Sequence, residues 1–132
     1  MIPSGPSEPE SSPSVADATE AERARAELYA LRGAERVLWS EPGGQPGSLG
    51  VETDDGASAW LALLAAMTTR MSDELELGRP HLLTITYANR MVAMAIDPEG
   101  ARIAVITSEP ASVGLAMVKL RNWLATRSRS AA

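Results

Sequence analysis

Cysteine is absent from this chain of 132 residues, which removes disulfides, thiolate metal sites and thiol nucleophiles at once. Histidine occurs once, as His81 beside a proline, with no carboxylate, serine or cysteine partner identifiable around it. A catalytic or metal-binding imidazole needs such partners, so none is assigned, and no cofactor is expected. Aromatic residues make up 4% of the chain and the net charge is −5, a balance that argues against a nucleic-acid binder. Long apolar runs are missing too. The longest, Ala59–Met67, has nine residues and is too short to span a bilayer. Residues 1–16 lack the apolar stretch of a signal peptide, so the cytoplasm is the expected compartment.

The charge is unevenly spread. Residues 1–55 hold eleven acids and four bases, whereas residues 56–132 hold six acids and eight bases. Lys119, Arg121, Arg127 and Arg129 near the end have no acid among them. Such a set can support weak phosphate or lipid contacts, but solvated cations near a helix C-terminus account for it more simply.

What is present is a strong pattern between residues 82 and 124. Met91–Ile96 is apolar at six consecutive positions, as in a strand covered on both faces. Asp97-Pro98-Glu99-Gly100 has the residues of a type I turn, and Ala101–Thr107 returns as a strand. In it Ile103 and Val105 face one way, Ala104 and Ile106 the other. Ser108 or Glu109 can then cap a helix with Pro110 in its first turn, and Val113, Met117, Leu120 and Leu124 line one side of it.

The rest falls around this unit. Residues 1–16 are mostly Pro, Ser, Glu and Gly and read as a disordered tail, with a domain over 17–126 and a fraying end over 127–132. A first helix begins near Asp17 or Thr19, with Thr19 and Glu22 as a capping box. Ala21, Ala24, Leu28 and Leu31 form its narrow stripe, and Gly33 ends it. Glu35–Ser40 is a short strand and Leu49–Thr53 another. Glu41–Gly50 between them is a Gly/Pro-rich hairpin loop, not a phosphate loop, since it lacks a Gly-Lys-Ser/Thr ending and a following helix. Asp54-Asp55-Gly56 is a turn, where Asp55 or Ser58 can cap the next helix. Two adjacent acids with no third donor are caps rather than metal ligands. His81–Ala88 is a strand of edge character, with Leu83, Ile85 and Tyr87 on one face, and Gly78-Arg79-Pro80 precedes it.

The second helix, Ala57 to about Leu77, carries more apolar surface than one sheet can use. Trp60, Leu64, Met67 and Met71 recur at spacings of 4, 3 and 4, and Leu61, Ala62, Leu63, Ala65 and Ala66 widen the face. Either the helix is sandwiched within the chain or its outer side meets a second molecule. The remaining elements are too few to cover it twice, which favours a partner.

The order helix, strand, strand, helix, three-strand meander, helix resembles the roadblock family of dynein light-chain and bacterial polarity-regulator domains, related to longin and profilin-like folds. The resemblance rests on the Trp60–Leu77 helix, the Leu82–Thr107 meander, and Ala111-Ser112-Val113-Gly114-Leu115 leading to Leu120-Arg121, with Ser112 where the family favours asparagine. It implies an α+β fold of three layers, a five-stranded antiparallel sheet with one helix on one face and two on the other. It also implies a homodimer that pairs through the second helix and the following edge strand, using Trp60, Leu64, Met67, Met71, Leu83, Ile85 and Tyr87. Bacterial members act on or beside small Ras-like GTPases without enzymatic activity of their own. The expected function is therefore a non-catalytic homodimeric regulator or scaffold of a small GTPase, with Arg70, Asp73 and Glu74 at the rim of the partner surface. A dimeric scaffold for another signalling protein and a ligand-sensing domain of similar build are the alternatives.

Overall fold

Met91–Ile96 is a strand paired on both sides and covered on both faces, as its unbroken apolar run predicts. The computed structural model describes residues 15–50 and 56–131, and within them the elements are α1 (Val15–Tyr29), β1 (Ala34–Ser40), β2 (Gly47–Leu49), α2 (Ala57–Glu74), β3 (Leu82–Thr86), β4 (Met91–Ile96), β5 (Arg102–Thr107) and α3 (Ser112–Ala131). The strands form one antiparallel sheet in the order β2-β1-β5-β4-β3. Val92, Met94, Leu38 and Ala104 face α2, together with Leu61 and Ala65. On the other face Ala93, Ala95, Ile103, Val105 and Val37 pack with Leu28 of α1 and with Ala116, Leu120 and Trp123 of α3. The expected three layers, one helix against two, are present.

Several boundaries differ from the sequence reading, each for a local reason. The first helix covers Val15–Tyr29, so Thr19 and Glu22 lie within it and not at its start, where a capping box belongs. Residues 1–14, the bulk of the expected tail, lie outside the described residues, as do Val51–Thr53 of the expected second strand and the pair Asp54 and Asp55. That second strand begins earlier, at Gly47, within the segment read as loop. Gly47 sits opposite Trp39, and a Cβ there would lie 2.4 Å from the indole ring. Only glycine lets the ring lie across the neighbouring strand. The N-cap of α2 is Gly56, at φ 93°, a residue with no side chain of its own to cap the helix.

α2 stops at Glu74, ahead of Gly78. Its end is a Schellman motif in which the amide of Leu77 donates to Ser72 O and that of Glu76 donates to Asp73 O. Glu76 takes the left-handed position at φ 57°, where glycine is the usual occupant. At the far end of the sheet, Gly33 (φ 80°) ends the turn after α1 against Glu109, and Ser108 N donates to Gly33 O. Capping at the start of α3 is shared differently from expectation. Thr107 Oγ1 accepts from Glu109 N, and the buried Ser112 hydroxyl donates to Arg32 O at 2.6 Å. The serine thus ties α3 to the end of α1. α3 continues as helix to Ala131, through residues expected to fray.

Two substitutions should move stability in opposite directions. Glu76→Gly relieves a left-handed side chain and should stabilise by about 0.5–1 kcal/mol. Ser112→Ala removes the buried hydrogen bond to Arg32 O and should cost about 1 kcal/mol. Urea unfolding of the two variants beside the unchanged chain measures both, and a Glu76→Gly protein less stable than the original would contradict the first.

Candidate interaction surface

The row of α2 that meets the sheet is not the row of its largest side chains. Leu61, Ala65 and Ser72 are buried and Thr68 is half-buried, at spacings of 4, 3 and 4. Thr68 turns its hydroxyl back onto Leu64 O at 2.8 Å, which satisfies it within the helix. Small residues in this row let the helix axis approach β1 and β5 closely. Trp60 and Leu64 stand beside the row, half-buried, and pack against the same buried cluster as Leu83 and Ile85 of β3.

Further round the helix, apolar residues reach solvent. Leu63 is 59% exposed, Met67 59%, Met71 55% and Leu75 62%. Successive members are four residues apart, so they follow one another along the helix as a continuous strip. The apolar face of α2 therefore runs without a break from the sheet, through Trp60 and Leu64, out to this strip. Single exposed leucines need no explanation, but a strip of four on one helix does. Leu77, just past the helix, is exposed as well, and so is Tyr87 after β3.

β3 is the edge of the sheet, with β4 on one side and no described strand on the other. Its outer N–H and C=O groups are a template for a further strand. The opposite edge, β2, has three residues and includes a glycine, so β3 is the longer pairing edge among the described residues.

The three rim residues are all exposed, and Arg70 Nε lies 3.4 Å from Glu74 Oε1 within one helical turn. On the N-terminal side of them, the outward side of α2 is smooth, with Ala59, Ala62, Ala66 and Thr69 exposed. Leu63 belongs to the strip but lies outside the interface set read from the sequence. Its 4-residue spacing to Met67 is the signal that could have found it.

His81 is exposed. Its carbonyl accepts from Ile96 N at 2.8 Å, and no described residue hydrogen-bonds its imidazole. Among the described residues no three His, Cys, Asp or Glu side chains converge as a metal site, and no helix is long and apolar enough to cross a membrane.

A second polar centre lies away from α2, where α1, α3, the β1–β2 loop and the β4–β5 turn meet. Arg127 grips Glu41 with both terminal nitrogens at 3.3 Å, and its Nε is 3.6 Å from Asp97 Oδ2. Arg25 approaches the same Glu41 at 3.6 Å and stacks 4.3 Å from the centroid of Trp39. Burial holds the Arg25 guanidinium below its ordinary pKa, opposed in part by the Glu41 carboxylate. Asp97, itself buried, also accepts from Glu99 N and so closes its own turn.

No protein-family model and no curated protein matches the chain. Solved structures do. An MglB in a tetrameric arrangement superposes with a TM-score of 0.68 at 17% identity, over 95% of this chain and 99% of that one. The gliding protein MglB of Thermus thermophilus gives 0.68 at 17% identity, over 90% and 96%. A roadblock/LC7 domain of Streptomyces avermitilis gives 0.63 at 13% identity, over 81% and 96%. At such identities the likeness is one of fold, and it agrees with the strand order and the one-against-two helix layers described above. The chain has the fold of these roadblock-type structures.

Proposed function

We propose that the chain forms a homodimer through α2 and β3 and serves as a non-catalytic regulator or scaffold of a small Ras-like GTPase in the cytoplasm. The observation that carries the dimer is the exposed strip Leu63, Met67, Met71 and Leu75 together with the open edge of β3, whose Leu83 and Ile85 pack against the same cluster as α2. A second copy related by a two-fold axis would lay its own strip against this one and complete the cover of the half-buried Trp60, Leu64, Leu83 and Ile85. Each methionine, already half withdrawn from water, would contribute about 1 kcal/mol on full burial, and two-fold symmetry counts each contact twice. Tyr87 extends the same interface at the end of β3.

The GTPase reading rests on the resemblance of this chain to bacterial roadblock domains. It is supported by the shape left over on α2. With the strip buried in a dimer, Ala59, Ala62, Ala66 and Thr69 of both copies would form a smooth platform, rimmed by Arg70, Asp73 and Glu74. Small side chains allow close approach of a partner's backbone, and rim charges act mainly on association rate and salt dependence. A regulator can shift a nucleotide-dependent equilibrium only through unequal affinity for the two states.

Multi-angle light scattering should report a dimer, and Met67→Glu, which sets two like charges near the two-fold axis, should report a monomer that remains folded. A monomeric original chain, or a dimeric Met67→Glu variant, overturns the assembly. For the partner, a pull-down with small GTPases of the same organism, loaded with GDP or a GTP analogue, should retain one state over the other. Retention of neither removes the GTPase reading. His81→Ala should leave both assembly and partner retention unchanged, because its imidazole belongs to neither surface.

A further inference from the structure

The cover of α3 changes character at Leu124. Up to there the helix is held by apolar packing, with Ala116, Leu120 and Trp123 in the core and Leu124 against it. Beyond, Ala125, Ser128 and Arg129 are exposed, and Arg127 is the residue that reaches back to the domain. Its partners are Glu41, the first residue after β1, and Asp97, the first after β4. Glu41 is in turn held by Arg25 of α1. Pro42, Gly43, Gly44, Gln45 and Pro46 after it are all exposed, and a Cβ on Gly43 would meet nothing within 4 Å. The loop therefore has little apolar packing to hold it, and Glu41 is its anchor.

The bonds at this junction are numerous but individually soft. Arg25, Glu41 and Arg127 keep side-chain exposures of 19%, 28% and 27%, so water and salt reach them. Arg127 Nε is shut off from solvent, yet its distance of 3.6 Å to Asp97 exceeds a hydrogen bond, so that contact is Coulombic only. The guanidinium also stands 5.1 Å from the centroid of Trp123, which lines the groove between α1 and α3, and Arg25, on the same groove, lies over Trp39.

From this arrangement we infer that Arg127 and Glu41 form an electrostatic latch, which holds the last turns of α3 and the β1–β2 loop closed together and releases both together when the ion pairs are screened. The two segments share no apolar anchor, and each depends on the same bidentate pair. Opening one removes the partner that fixes the other. Release would lift the Arg127 guanidinium from Trp123 and widen the groove, while leaving the sheet and α2 as they are. The latch is independent of the dimer and GTPase reading, since none of its members lies on α2 or β3.

Hydrogen exchange followed by mass spectrometry on the full chain tests this without a ligand. Raising the salt from about 0.05 M to about 1 M shortens the Debye length to roughly 3 Å and should speed exchange in residues 41–46 and 125–131 together, by about two- to fivefold. Residues 91–107 should not respond. Arg127→Gln should show the faster exchange in both segments already at low salt and lose the salt response, Glu41→Gln should do the same, and the double variant should add nothing further. Exchange in the two segments that rises independently, or a salt response as large in Arg127→Gln as in the original chain, overturns the latch. Should Arg127→Gln fail to fold, Glu41→Gln carries the same comparison.

Discussion

The sheet must be covered on both faces, and on one of them the described chain supplies a single helix. Val92, Met94, Leu38 and Ala104 project from one side of the sheet and Ala93, Ala95, Ile103 and Val105 from the other, and all are buried. An apolar strand left open to water on either side would forfeit much of the burial that holds a domain of this size together. α1 and α3 divide the work on one face. α2 has the other to itself, and how it docks sets the character of the outer surface.

It docks through small residues. Ala65 and Ser72 lie under the helix on the α2 side, and Ala116 and Ser112 do so under α3. A short side chain in the contact row brings the helix axis nearer the sheet, and the larger residues are then displaced to its flanks. On α3 the flanks are taken up by neighbours, with Met117 and Leu124 packed against the core and Lys119 paired with Glu27 of α1 at 3.4 Å. On α2 no described helix stands alongside, so Met67 and Met71 are left at the surface. The exposed strip is the consequence of close docking by a lone helix.

The two ends of the sheet are joined in different ways. At one, Gly33, Thr107, Ser108 and Ser112 lock the turn after α1 to the entry of α3 through short backbone and hydroxyl bonds. At the other, Arg25, Glu41, Asp97 and Arg127 span the gap with partly solvated ion pairs. Hydrogen bonds to buried groups resist salt, and partly exposed charges do not. One end of the helical layer is therefore held by hydrogen bonds and the other by ion pairs open to screening.

Much of this was legible in the sequence. The uninterrupted apolar run Met91–Ile96, the Asp97–Gly100 turn and the alternation of Ile103 and Val105 with Ala104 and Ile106 specify two central strands by local chemistry, and the order of elements led to the three-layer fold. The edge character of β3 was visible in its threonines, and the surplus of α2 in its uncharged length. What the sequence could not decide was which row of a nearly all-apolar helix faces inward. Trp60, Leu64, Met67 and Met71 recur at the same spacing as Leu61, Ala65, Thr68 and Ser72, and size favours the first set, whereas close approach to the sheet selects the second. Nor could it place Arg25, Glu41, Asp97 and Arg127 together, because residues so far apart in the chain are joined only when the sheet order brings four elements to one corner. Periodicity is a property of the segment; facing and convergence belong to the packing.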